Sequence, residues 1–292
     1  MLKSKLFRDD NRLQRCLVDN TAHVTLHSSG DFVSKIQEAL VILDNAVLTG
    51  DDVSTQRYEQ STADAVLAYK SGVRDIVNHS YQQTADNIVG IMTIKQMDKE
   101  MAELEPQMPA IIERARLGGF QRTFAAFMQV AGFGPVPLPG RVDPNEANRQ
   151  RTRALAVDIF DDPNPNMEDI GDTLGDMKNR IASPTTPIQQ AHFPDSRCGM
   201  RSAFVVGNRV PIMLCPKFFG SSDEERIRTM VHESAHLVGI GDSSGEAYYL
   251  FYNRRNEDPQ IVTGTPKSTK RADVADTWAK YVNAVTGQKP DT

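Results

Sequence analysis

Apolar residues recur at three- and four-residue spacings along most of the chain, broken by short polar or glycine-containing stretches, as in amphipathic helices. Val33, Ile36, Gln37 and Leu40 share one face after Ser29 and Gly30. Ala65, Val66 and Tyr69 follow Ser61 and Thr62, which read as a cap, and Ile91, Ile94 and Met97 follow Gly90. A longer helix is expected over residues 107–128, interrupted at Gly118 and Gly119, and two more over 145–160 and 167–181. Residues 183–201, with three prolines, read as a loop. Two short strands follow, residues 203–206 and 210–215, joined at Gly207 and Asn208, a hairpin turn signal. Ser222 and Glu225 have the spacing of a capping box. The helix it opens carries Ile227, Met230, Val231, Ala235 and Val238 on one stripe and ends at Gly239 and Gly241. A last helix over 269–285 aligns Val274, Trp278, Tyr281 and Val285. The fold class expected is α+β, mostly α, with a small N-terminal helical bundle and one short β-hairpin further on.

The clearest seam is 132–144 (GFGPVPLPGRVDP), whose alternating prolines exclude a helix or a central strand. It divides the chain into a helical domain with its connecting helix (1–131), a linker (132–144) and a second domain (145–292). A length of 292 residues allows two domains, and 39% hydrophobic with 24% charged residues fits a globular protein. The net charge of −5 comes with no dense basic block, which argues against a nucleic-acid partner. No apolar run approaches the roughly 20 residues of a membrane span. The first ten residues turn acidic before any apolar core of a Sec-type signal forms, so export by another route is expected, with a cytoplasmic location the alternative. Three cysteines are too few for a disulfide scaffold, but Cys198 with Cys215 is the pair to test for one bridge.

The chemistry lies inside the capped helix. His232, Glu233, Ser234, Ala235 and His236 form the pattern His-Glu-x-x-His. Four residues make just over one helical turn, so both imidazoles project from one face within reach of a single ion. Glu233, offset by about 100°, stands beside that ion and can take a proton from an attacking water. This is the arrangement of a zinc peptidase, in which a metal-activated water hydrolyses peptide bonds. A catalytic zinc needs a third protein ligand. Asp242 is one candidate, since Gly239 can make the turn back to the metal, and Glu246 is another. Glu257 reads as a solvated surface acid.

These residues carry a family resemblance. The apolar strand Ile212, Met213, Leu214 ends in Cys215, and Phe218 and Phe219 precede the His-Glu-x-x-His helix. Ser244, Gly245, Glu246 and Tyr249 come next, and Arg271, Ala272, Asp273, Val274, Trp278 and Tyr281 later. The stretch resembles the aspzincin metallopeptidases, the deuterolysin and peptidyl-Lys metalloendopeptidase group. The resemblance implies a zincin-like domain, Zn²⁺ as cofactor, Glu246 in the place of the family's third-ligand Asp, and Tyr249 as the residue that stabilises the oxyanion. Asp242 remains the alternative ligand; it fits a metzincin spacing, but no Met follows Met230 to make that family's Met-turn.

Upstream, Gly30, Val33, Ile36, Gln37, Leu40, Tyr58, Thr62, Ala65, Val66 and Tyr69, then residues 86–93 (DNIVGIMT), resemble the small helical peptidoglycan-binding domain found beside wall hydrolases. The pairing implies a zinc endopeptidase acting on protein or on murein peptide stems, anchored to peptidoglycan, and exported as an effector with a secretion apparatus or an immunity protein as partner. The competing reading is a wall-binding adaptor whose zinc is structural, closed by His192, Cys198 or Cys215. His23, His27, His79 and His192 have no partner at metal spacing and read as satisfied or exposed side chains.

Overall fold

The computed structural model describes residues 1–80, 82–131, 145–199, 201–206, 210–241 and 274–287. The linker 132–144, the Gly207–Asn208 turn, and Asp242, Glu246, Tyr249, Glu257 and Asp273 lie outside the described residues. The chain is mostly helical with one small sheet, an α+β fold. The helices are α1 (Asn11–Cys16), α2 (Asp31–Asp44), α3 (Gly50–Ser54), α4 (Gln60–Lys70), α5 (Ile91–Leu104), α6 (Met108–Val130), α7 (Glu146–Phe160), α8 (Met167–Ala182), α9 (Pro216–Gly220), α10 (Asp223–Leu237) and α11 (Ala275–Val285). The strands are β1 (Ile188–Gln190), β2 (Ala203–Val205) and β3 (Ile212–Leu214), in the order β1-β3-β2. No helix among the described residues is long and apolar enough to cross a membrane.

Strand β1 falls in the stretch read as a loop. Its ladder with β3 runs through Ile212 N–H to Pro187 O and Ala191 N–H to Leu214 O, a parallel pattern, whereas β2 and β3 pair as an antiparallel hairpin. Three residues flanked by prolines carry too little alternation to announce a strand. The cap expected at Ser61 and Thr62 is also displaced. Both lie in the first turn of α4, where Ser61 Oγ donates to Asp52 Oδ2 and Thr62 Oγ1 accepts from the buried Gln37 amide.

The residues cluster into two compact units, each drawn from separated parts of the chain. The first comprises Met1–Glu113, Ile188–Phe204 and Met213–Arg226. Its core holds Phe7, Leu13, Val33, Ile36, Leu40, Val66, Tyr69, Ile94, Met97 and Met101, the apolar faces read from the sequence among them. Its N-terminal strand of chain is held by two acids: Asp98 accepts from the Lys3 and Ser4 amides, and Glu105 from those of Lys5 and Leu6. The disulfide Cys198–Cys215 belongs to this unit. So does α9, which Cys215 leads into, and which lies so close on α2 that a Cβ on Gly220 would collide with the Val41 carbonyl oxygen. Only glycine fits there.

The second unit comprises Arg114–Pro187, Val205–Ile212 and Ile227–Thr292. Ala156, Ile159 and Phe160 of α7, Leu174 and Met177 of α8, Val231 and Ala235 of α10, and Trp278, Tyr281 and Val285 of α11 form one core. Phe160 packs against Trp278 and Tyr281 at ring separations of 4.9 and 5.1 Å, and the Tyr281 hydroxyl donates to Thr152 O. The break expected at Gly118 and Gly119 is absent: α6 runs through them. A Cβ on Gly118 would stand 2.6 Å from Ile227, and one on Gly119 would stand 2.9 Å from the Met230 Cβ. These glycines let α10 approach the α6 backbone.

Candidate metal centre

Helix α10 opens as its sequence requires. Ser222 Oγ accepts from the Glu225 amide at 3.2 Å, and Glu225 Oε2 accepts from the Ser222 amide at 2.8 Å, a reciprocal capping box. Asp223, Glu224 and Glu225 place negative charge at the positive end of the helix dipole. Met230, Val231 and Ala235 are buried, which fixes the rotation of the helix and thereby the direction of His232 and His236.

The two imidazoles meet edge to face, with ring centroids 4.8 Å apart and the two Nε2 atoms 3.1 Å apart. Each ring is held from behind. His232 Nδ1 lies 2.8 Å from Asp276 Oδ1, on the first turn of α11, and His236 Nδ1 lies 2.7 Å from the Ile240 carbonyl oxygen. Both acceptors require a proton on Nδ1, which leaves each neutral ring with its lone pair on Nε2. Two such lone pairs facing each other at 3.1 Å repel unless a cation or a proton lies between them. The separation suits two Zn–N bonds of about 2.0–2.1 Å to one ion. Acceptors behind Nδ1, one carboxylate and one carbonyl, are also what metal-ligating histidines use to fix their orientation. The donor set fits a divalent metal.

Glu233 is 2% exposed and lies one residue along the helix from His232. Among the described residues no group of three or more His, Cys, Asp or Glu is placed to hold an ion. The third-ligand candidates Glu246 and Asp242, and Tyr249, fall outside those residues.

The His-Glu-x-x-His pattern does not point to Asp276. It is 7% exposed, and its Oδ2 has no hydrogen-bond partner among the described residues. The available signal is an acid in the first turn of a helix whose described part is Ala275–Val285; residues 269–273 of the expected helix lie outside the described residues. The Ile240 carbonyl is a backbone group and leaves no signature in the sequence.

The other histidines are engaged elsewhere or isolated. His27 pairs with Glu59, His79 with Asp75, and His192 with Glu38, while the ring of His23 lies where a Cβ on Gly90 would meet it at 3.1 Å. Cys198 and Cys215 are bonded to each other, which corrects the expectation that either could close a structural zinc shell. The remaining thiol, Cys16, is buried and donates to Val89 O, and burial pushes its pKa up to about 11, too high for a nucleophile.

Comparisons with family models, with curated proteins and with solved structures find no match to this chain.

Proposed function

We propose that the protein is a zinc-dependent endopeptidase in which His232 and His236 hold the ion and Glu233 is the general base. The observation that carries this reading is the convergence of two Nε2 atoms at 3.1 Å with both Nδ1 atoms committed to acceptors. A pair of surface histidines on an ordinary helix has no need of a buried aspartate behind one ring. The ion, when bound, supplies Lewis-acid chemistry to water and to the scissile carbonyl. Glu233 takes the proton that the attacking water loses and delivers it to the departing amine. The third ligand is expected from Glu246, with Asp242 the alternative, and Tyr249 is expected to donate to the carbonyl oxygen as negative charge develops on it.

The substrate class proposed is protein, or the peptide stems of murein. The resemblance of the N-terminal helices to peptidoglycan-binding modules supports delivery to a wall-containing compartment. The Cys198–Cys215 bridge supports an oxidising destination, since such bonds persist outside the reducing cytosol.

The test pairs metal analysis of the purified chain with mass spectrometry of digested casein and murein. Wild type is expected to bind one zinc and to release peptides. Glu233→Gln is expected to keep the zinc and lose hydrolysis by about 10²–10⁴-fold. Turnover by Glu233→Gln equal to wild type would remove the assignment.

A further inference from the structure

The acceptors that hold the two histidines come from the two sides of one chain closure. Ile240 lies just before residues 242–273 and Asp276 just after them. Between these two positions the chain comes back on itself: Gly241 and Val274 form a parallel bridge, and the Ala275 amide donates to the Gly241 carbonyl oxygen at 3.1 Å. Val274 and Ala275 are buried. The turn leaving α10 is fixed in its own right, because the Gly239 amide donates to His236 O and the Ile240 amide to Ala235 O.

We infer that this neck is a positioning element for the metal pair, with the Gly241–Ala275 hydrogen bond holding the two imidazole acceptors in register. The inference rests on the metal reading proposed above. Gly241 is bonded to Ile240, whose carbonyl receives His236, and Ala275 is bonded to Asp276, whose carboxylate receives His232. One backbone hydrogen bond therefore joins the residues next to both acceptors. Asp276 meets His232 when the first turn of α11 sits against Gly241, and it aims Nε2 of that ring at Nε2 of its neighbour. An ion bound between the two nitrogens then favours the closed neck, and by reciprocity the closed neck strengthens the ion by the same factor. The neck acts through the histidines and touches no reacting atom.

The variant Ala275→Pro removes this one donor. Ala275 is the first residue of α11, where proline is accepted, and Val274, at φ −117° and ψ 120°, already has the extended conformation that precedes proline. Two measurements on the full-length chain decide the matter. Zinc affinity by competition with a chromogenic chelator is expected to fall at least about 10-fold in Ala275→Pro, in the range seen when outer-shell partners of metal ligands are lost. In wild type, hydrogen exchange at the Ala275 amide is expected to slow on adding zinc. A folded Ala275→Pro chain with wild-type zinc affinity overturns the inference and leaves the metal reading standing. So does an Ala275 amide whose exchange ignores zinc, which decides the question if the variant fails to fold. A wild-type chain that takes up no zinc overturns both.

Discussion

Asp276 Oδ1 lies 2.8 Å from Nδ1 of His232, across 44 residues of sequence, and the carboxylate is almost completely buried. A carboxylate taken out of water needs a charged or hydrogen-bonding partner, and a histidine whose other nitrogen faces a cation is a good one. The expected outcome of Asp276→Ala is a loss of zinc affinity of about 10–100-fold. Asp276→Asn keeps an oxygen able to accept from Nδ1 and should fall between the alanine variant and wild type. Competition against a chelator of known affinity measures both. Equal affinities in all three proteins would make the Asp276–His232 bond irrelevant to the metal.

Local patterns in this chain were legible and tertiary partners were not. The capping box at Ser222 and Glu225 and the pairing of His232 with His236 depend on spacings of three and four residues, which the sequence displays directly. Asp276 owes its role to a fold that returns α11 to α10, and no spacing encodes that return. Gly118 and Gly119 predict a break because a glycine weakens a helix by about 1 kcal/mol wherever it stands. Their use, close approach to Ile227 and Met230, exists only once α10 is in place. The apolar faces of α2, α4 and α5 were readable for the same local reason, whereas α9 and its disulfide became part of the first unit through long-range packing.

Those glycines give a prediction whose sign opposes helix propensity. In an open helix Gly→Ala stabilises by about 1 kcal/mol. At Gly119 a new methyl would press on the Met230 Cβ at 2.9 Å, an atom fixed to the α10 backbone. At Gly118 the obstacle is Cγ1 and Cδ1 of Ile227, each 2.6 Å away, on a β-branched side chain that has little freedom at χ1 within a helix. Gly119→Ala and Gly118→Ala should therefore each destabilise by about 1–3 kcal/mol, the usual cost of overpacking. Urea unfolding of the two variants measures the losses, and a more stable Gly119→Ala would mean that α10 does not press on α6.

The disulfide makes a prediction about the first unit. Cys198 and Cys215 are both buried and 17 residues apart. Loop-closure entropy assigns a bridge of that span about 3 kcal/mol. The double variant Cys198→Ser/Cys215→Ser should lose about that much in chemical unfolding, and added reductant should have no further effect on it. Unfolding midpoints that coincide for wild type in oxidising and strongly reducing buffer, after complete reduction is verified by thiol counting, would contradict the expectation.

Glu38 supplies a pH dependence to the same unit. Its side chain is 2% exposed and accepts from the Phe193 amide at 3.0 Å, while its other oxygen lies 2.7 Å from His192 Nδ1. The hydrogen bond to Glu38 raises the pKa of His192 above its ordinary value of 6.5, against the opposing effect of burial. A raised value means that the folded chain binds this proton more tightly than the unfolded one. The contribution is therefore complete below 6.5 and fades as the pH rises through the raised value. The His192 side chain is 59% exposed, so solvent screening keeps the effect small. Thermal unfolding between about pH 5 and about pH 8, the range in which imidazoles titrate, should show wild type losing stability with rising pH relative to His192→Gln. The difference between the two curves isolates this pair from every other titrating group. A difference that stays flat or grows with pH would show that Glu38 does not hold a proton on His192.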